Sequence, residues 1–135
     1  MNKIRTYVDT SVLIGAFSGD KIISERAFAI ITDLAREFVV SDYLRLESVS
    51  KPKFHRRQAE VDFYEKFFKS AARQVKTSPI ITAWALNYAA ELDIAAMDSL
   101  HLGVSKEAGV EEFITLEKST KPMFKVKDFK VTSIL

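Results

Sequence analysis

The stretch Ile4-Arg5-Thr6-Tyr7-Val8-Asp9-Thr10-Ser11-Val12-Leu13-Ile14-Gly15-Ala16-Phe17 decides the fold. From Arg5 to Val8 it is β-branched or aromatic at most positions and nearly continuous in apolar character, as expected of a buried strand. Asp9 ends that run, Thr10 and Ser11 open a helix with small hydroxyl side chains, and Val12 to Phe17 carry the helix on. An acid just past a first strand stands where open parallel α/β sheets bind ligands.

Working outward, Ile23, Ala27, Ile30, Ile31, Leu34 and Phe38 recur at helical spacing and predict an amphipathic helix over 22–36. Phe38-Val39-Val40 reads as a short buried strand. Ser41-Asp42 can cap the next helix, with Leu44, Leu46 and Val49 packing it. Lys51 to Arg57 reads as a loop or helix break, because Pro52 disfavours helix at Lys51. Ala59 to Ala72 is predicted helical, with Val61, Tyr64, Phe67 and Phe68 along one side, and Val75-Lys76-Thr77 as an edge strand. Pro79 starts a helix at a tolerated position, running to about Leu92. Another helix follows Ala95 and ends near Gly109, and Glu112–Thr115 and Lys130–Leu135 close the chain as strands. Strands alternating with helices imply an α/β fold: one domain over 1–135, with a central, mostly parallel β-sheet flanked by helices and joined by right-handed crossovers.

The bulk numbers agree. A chain of 135 residues, 47% hydrophobic and 28% charged, can bury a core without staples and is not disordered in composition. The absence of cysteine excludes disulfides, thiolate zinc sites and a cysteine nucleophile, and fits a reducing compartment. Met1 to Val8 is too short and too interrupted for a signal peptide, and no apolar run approaches the roughly 18 residues of a membrane span. The expectation is a soluble, cytoplasmic protein without membrane contact. Net charge is +2, but residues 51–76 carry eight Lys/Arg against three acids, 77–117 one Lys against seven acids, and 118–130 five lysines against Asp128. Such segregation suits an acidic centre flanked by basic surface; solvated helix faces of differing charge would read the same.

Three further acids fall at element boundaries: Glu47, Asp98 and Glu117. Gathered with Asp9 at one sheet edge, they could not remain bare. Two like charges about 4 Å apart repel by roughly 4 kcal/mol at an effective dielectric near 20. Either protons are retained or a divalent cation sits between them. Oxygen ligands without a Cys or His cluster favour Mg²⁺ or Mn²⁺ over Zn²⁺.

These residues also carry a resemblance. Tyr7-Val8-Asp9-Thr10-Ser11-Val12-Leu13-Ile14 resembles the opening of a PIN domain, the PilT N-terminus family of nucleases. Ser41 followed by Glu47 resembles the second motif of that family, and Leu92-Asp93-Ile94-Ala95-Ala96-Met97-Asp98-Ser99-Leu100-His101-Leu102 its third. Phe113-Ile114-Thr115-Leu116-Glu117 occupies the place of the fourth, usually Thr-any-Asp, so Glu117 is a departure. No motif is specific alone; their order and joint spacing carry the match. The resemblance implies a Mg²⁺-dependent endoribonuclease (Mn²⁺ being an alternative ion), of the kind found among VapC-type toxins. Its metal carboxylates would be Asp9, Glu47, Asp98 and Glu117, with Ser11, and Thr10 beside it, supporting the metal-water shell. It further implies an RNA substrate, a small antitoxin partner and a homodimer.

Plainer readings stand beside these. His101, three residues after Asp98, is expected as a packed, satisfied histidine rather than a ligand. Trp84 and Tyr88 read as core or dimer surface, and Phe67-Phe68 as core. Lys51, Lys53, Arg56 and Arg57 around Phe54 could hold phosphates or be a solvated loop. Two other functions compete: a non-catalytic PIN-like module binding RNA or protein, and a haloacid-dehalogenase-like phosphatase. The last usually wants a second acid two residues after the first, where this chain has Ser11.

Overall fold

A computed structural model describes residues 2–135. Strand β1 (Ile4–Val8) lies at the centre of a five-stranded sheet, with β2 (Arg36–Ser41) and β3 (Arg73–Val75) to one side and β4 (Glu112–Thr115) and β5 (Lys130–Ser133) to the other. Every strand pair is parallel, with Thr6 opposite Phe38 on one flank and Val8 opposite Ile114 on the other. The chain first winds outward from β1 through β2 to β3, then crosses back to lay β4 on the opposite flank of β1. The gap between the C-terminal ends of β1 and β4 is therefore a topological switch point, the place such sheets bind ligands.

Helices α1 (Thr10–Ser18) and α2 (Lys21–Ile31) connect β1 to β2, α3 (Asp42–Phe54) and α4 (Gln58–Ser70) connect β2 to β3, and α5 (Pro79–Leu92) and α6 (Ala96–Glu107) lead to β4. A 3₁₀ turn, Pro122–Lys125, precedes β5. No helix among the described residues is long and apolar enough to cross a membrane. Tyr7, Val8, Val12, Leu13, Tyr64, Leu102, Phe113 and Ile114 are fully enclosed in the core. The α5–α6 contact requires Gly103: a Cβ there would stand 2.8 Å from the carbonyl oxygen of Ile81 and 3.3 Å from the amide nitrogen of Ala85. Gly109, at φ +66°, turns the chain out of α6 as expected.

Four local expectations change. The helix predicted over 22–36 stops at Ile31, because Asp33 accepts the Ala35 amide at 2.9 Å in a side-chain turn that competes with the helix. Leu34, spaced as a core residue, is 86% exposed, and Phe38 packs from β2 against Phe67 instead. Helix α3 continues through Pro52, whose buried ring sits in the last turn; tertiary packing overrides the local bias of Lys51. It ends with Arg56 in the left-handed region (φ 55°) and the Arg57 amide donating to the Pro52 carbonyl, a Schellman-type stop. Leu46 is 65% exposed rather than packed, and the edge strand lies at 73–75, two residues earlier than predicted.

Candidate active site at the switch point

Each acid comes from a different element. Asp9 is the N-cap residue of α1, directly after β1; Glu47 lies in α3, Asp98 in the first turn of α6, and Glu117 two residues past β4. All four, with Thr10, Ser11 and Lys51, line one cavity of about 620 Å³, whose apolar rim is Ile14, Leu46 and Met97. A smaller cavity of about 210 Å³ shares Asp98 and Glu117 with it and is lined also by Ile94, Lys121 and Pro122. Lys53, Arg56 and Arg57 line neither; of the basic segment, Lys51 alone reaches the acids' cavity.

Asp9 is the most enclosed, 4% exposed. Ser11 donates to its Oδ1, and Thr115 donates to Oδ2 at 2.6 Å. Both hydroxyls are themselves held by the loop after β4: the Leu116 amide donates to Ser11 Oγ and the Glu117 amide to Thr115 Oγ1, each at 3.0 Å. The Thr115–Asp9 and Leu116–Ser11 bonds tie the end of β1 to the end of β4, which is what brings Glu117 to the side of Asp9. Burial still pushes the Asp9 carboxyl up, the two hydroxyl bonds opposing it and the Asp98 charge adding to it. Asp98 is also raised, by burial first and then by the charges of Glu117 and Glu47, against the pull of His101 and Lys121. Glu47 goes the other way: the His101 hydrogen bond, with a second from Thr10, holds it below the ordinary range.

Expected site residues thus share one cavity, while several that support them carried no catalytic signal in the sequence. Thr115 was visible only as the first letter of the fourth motif. His101 is the satisfied histidine expected, but its ring donors and acceptors tie Glu47 to Tyr7 rather than to a neutral part of the core: Nε2 lies 2.8 Å from Glu47 Oε1 and Nδ1 2.6 Å from the Tyr7 hydroxyl. Their distance from His101 in the chain leaves no spacing pattern to find. Tyr88 is buried and donates to Asp128, and Trp84 donates to Glu107, so neither faces the acids.

Among the described residues, no three acidic or histidine side chains stand close enough together to be a ready-made metal cage. The donor chemistry nevertheless fits a hard divalent cation. Four carboxylates share one cavity, burial and like charge push the carboxyls of Asp9 and Asp98 up, and among the described residues neither Asp98 nor Glu117 has a hydrogen bond to its carboxylate. Closing the cage would need side-chain movement at the least supported acids, Asp98 and Glu117, while Asp9 and Glu47 are already held.

No curated protein sequence matches the chain significantly. Solved structures do match its fold. A chain of VapBC2 from Rickettsia felis, crystallised bound to a DNA fragment from the promoter, gives a TM-score of 0.72 at 10% identity, covering 96% of this chain and 98% of that one. DNA-bound VapBC from Salmonella typhimurium gives 0.69 at 15% identity with the same coverage. A toxin-antitoxin complex from Klebsiella pneumoniae gives 0.68 at 17%, covering 95% and 96%. At such identities the likeness is one of fold. The PIN domain profile matches residues 6–123, from within β1 through all four acids. A match over most of its length shows that this chain belongs to the PIN domain family.

Proposed function

We propose that the chain is a divalent-metal-dependent endoribonuclease and the toxin member of a toxin–antitoxin pair. The observation that carries this reading is the convergence of Asp9, Glu47, Asp98 and Glu117, from four elements, on one cavity at the switch point. These acids would hold Mg²⁺, or Mn²⁺ in its place. A bound ion of that kind neutralises the acids and a phosphodiester beside them and makes a water acidic enough to attack.

The chain's own residues supply position. Ser11 and Thr115 hold both oxygens of Asp9, and Thr10 and His101 hold one oxygen of Glu47, so these carboxylates are preset. Lys51 lines the larger cavity and Lys121 the smaller, each together with Asp98 and Glu117, which suits both to phosphates close to a scissile bond. Ile14, Leu46 and Met97 give the larger cavity an apolar wall on which a base can lie. No side-chain nucleophile is required.

The partner reading follows from the similar structures, which are VapBC or toxin-antitoxin complexes. By that likeness a small antitoxin protein would bind this chain; the homodimer and the cytoplasmic location remain what the sequence resemblance implies. Exposed Ile80 and Leu86 on α5 offer apolar surface for such contacts.

A second reading, a PIN module that binds RNA or protein without cleaving, is favoured by the lack of a closed cage and by Glu117 in the place of an Asp. Purified protein separates the two. The nuclease reading expects RNA cleavage in Mg²⁺ or Mn²⁺ that EDTA abolishes and Asp9→Asn lacks. RNA binding with no cleavage in either ion would establish the binding module.

A further inference from the structure

A buried line of hydrogen bonds begins and ends on helix α3. The Leu44 amide donates to Ser41 Oγ at 3.1 Å; Ser41 Oγ lies 2.8 Å from Tyr7 Oη; Tyr7 Oη lies 2.6 Å from His101 Nδ1; and His101 Nε2 lies 2.8 Å from Glu47 Oε1. Tyr7, Ser41 and His101 are each at most 4% exposed. Tyr7 is fixed by stacking on Phe113, ring centres 5.6 Å apart and 11° from parallel.

One order of protons satisfies this line with a neutral ring. Glu47 as a carboxylate can only accept, so Nε2 carries a hydrogen. Nδ1 is then the bare ring nitrogen and takes the single Tyr7 hydroxyl hydrogen, so Ser41 Oγ, which accepts the Leu44 amide, gives its own hydrogen to Tyr7 Oη. The opposite order would set a lone pair of Nε2 against the Glu47 carboxylate at 2.8 Å.

The consequence lies at Glu47. Both hydrogen bonds found on its carboxylate, from Thr10 and from His101, fall on Oε1. Oε2 receives none among the described residues, and Glu47 lines the cavity shared with Asp9, Asp98 and Glu117. We infer that His101 is a positioning residue: locked by Tyr7 in its Nε2–H form, it pins Glu47 Oε1 and leaves Oε2 as the oxygen that meets a divalent cation. This rests on the metal-centre reading above and adds which oxygen, held by which residues. A histidine that merely fills the core would serve stability alone.

Mn²⁺ binding by the full, metal-free chain tests it, measured by calorimetry without RNA. His101→Leu should lose about 10- to 100-fold in Mn²⁺ affinity, the usual effect of removing the partner of a ligand. His101→Gln can place an amide N–H where Nε2 stood and should recover most of that loss. Tyr7→Phe keeps the ring stack and removes only the hydroxyl; it should cost about threefold to tenfold in affinity. The ring nitrogens of His101, read by ¹⁵N NMR at neutral pH and assigned by their loss in His101→Gln, should show Nε2–H in the wild type and a mixture of tautomers in Tyr7→Phe. Wild-type Mn²⁺ affinity in folded His101→Leu, or in Tyr7→Phe should the leucine variant not fold, overturns the inference and leaves the metal centre standing. An Nδ1–H wild-type ring also overturns it. A wild type that binds no Mn²⁺ overturns the metal-centre reading and this inference together.

Discussion

Asp98 is the acid least supported by its own surroundings. Asp9 has Ser11 and Thr115, and Glu47 has Thr10 and His101, whereas burial, Glu117 and Glu47 all work against the Asp98 charge. A carboxyl whose folded-state pKa is raised favours the folded protein when protonated. Its cost to stability therefore appears as pH rises through the ordinary Asp range and is complete above the raised value. Asp98→Asn removes that cost, so without metal it should melt above the wild type at pH 7, the difference fading toward about pH 3. In Mg²⁺ its RNA cleavage should fall at least about a hundredfold, some 2.7 kcal/mol of barrier. Thermal melts in EDTA across pH check the first part; equal melting curves at neutral pH would mean Asp98 is not crowded. Glu117 gives a second residue-level test, because its backbone cannot shift to adjust its reach. Its amide donates to Thr115 Oγ1 at 3.0 Å and its carbonyl accepts from Ser133 Oγ at 2.6 Å. With both ends pinned, the extra methylene moves the carboxylate by about 1.5 Å relative to an Asp. Glu117→Asp should therefore be slower than wild type despite restoring the usual family residue, and Glu117→Gln should lose at least about tenfold, or 1.4 kcal/mol. Wild-type rates for Gln at subsaturating Mg²⁺ would reduce the site to three acids.

At the scale of elements, the crossing of α5 and α6 decides where Asp98 and His101 stand, since both ride on α6. Gly103→Ala would set a methyl 2.8 Å from the Ile81 carbonyl oxygen, a backbone atom that can yield only if the helices separate. The expected cost is about 1–3 kcal/mol of overpacking, against a gain of about 1 kcal/mol from better helix propensity. The denaturant midpoint should fall, and Mn²⁺ affinity with it as α6 moves; an unchanged midpoint would show a looser crossing. The same elements indicate what a sequence can and cannot reveal. The strand–Asp–helix opening, the helix from Pro79 to Leu92 and the strand Glu112–Thr115 were legible because hydrophobic period and punctuating residues agree there. Where one cue contradicts another, the reading slipped: helical spacing ran on through Leu34 although the Asp33 side chain ends the helix, and Pro52 suggested a break that its buried ring does not make. Leu46 shows a third kind of failure, an apolar residue placed at the mouth of a cavity instead of in the core. The convergence of Asp9, Asp98 and Glu117 was legible from element ends, because a parallel sheet brings strand C-termini to one edge, whereas Glu47, expected at an element boundary, lies in the middle of α3 and reaches the cavity from the helix face. Their supports were not: Tyr7, Ser41, His101 and Glu47 meet only through tertiary contacts between β1, β2, α3 and α6.

Across the whole molecule, charge is sorted around the switch point. The acidic segment 77–117 supplies Asp98 and Glu117, and the basic segments on either side of it in sequence, 51–76 and 118–130, supply Lys51 and Lys121 at the walls of the two cavities that share those acids. Neither lysine is ion-paired among the described residues, although Lys121 lies near enough to Asp98 to lower its pKa. Free cations beside an acidic centre suit a polyanion that must pass over it, and this arrangement divides the basic residues into two groups. Lys51 and Lys121 line the cavities; Lys53, in the last turn of α3, and Arg56 and Arg57, just past it, line neither. Each phosphate neutralised on a single strand contributes about 0.7 to the slope of log affinity against log salt. In an Asp98→Asn background, which prevents cleavage, Lys51→Ser with Lys121→Ser should therefore flatten the slope for a short single-stranded RNA by about 1.4 and weaken binding at low salt. The triple change of Lys53, Arg56 and Arg57 to Ser should alter the slope far less, because none of the three lines either cavity that holds the acids. Fluorescence anisotropy at several salt concentrations reads both slopes directly. If the triple variant loses the larger share, RNA runs along the end of α3 instead, and the contacts that hold it lie outside the cavities that hold the acids.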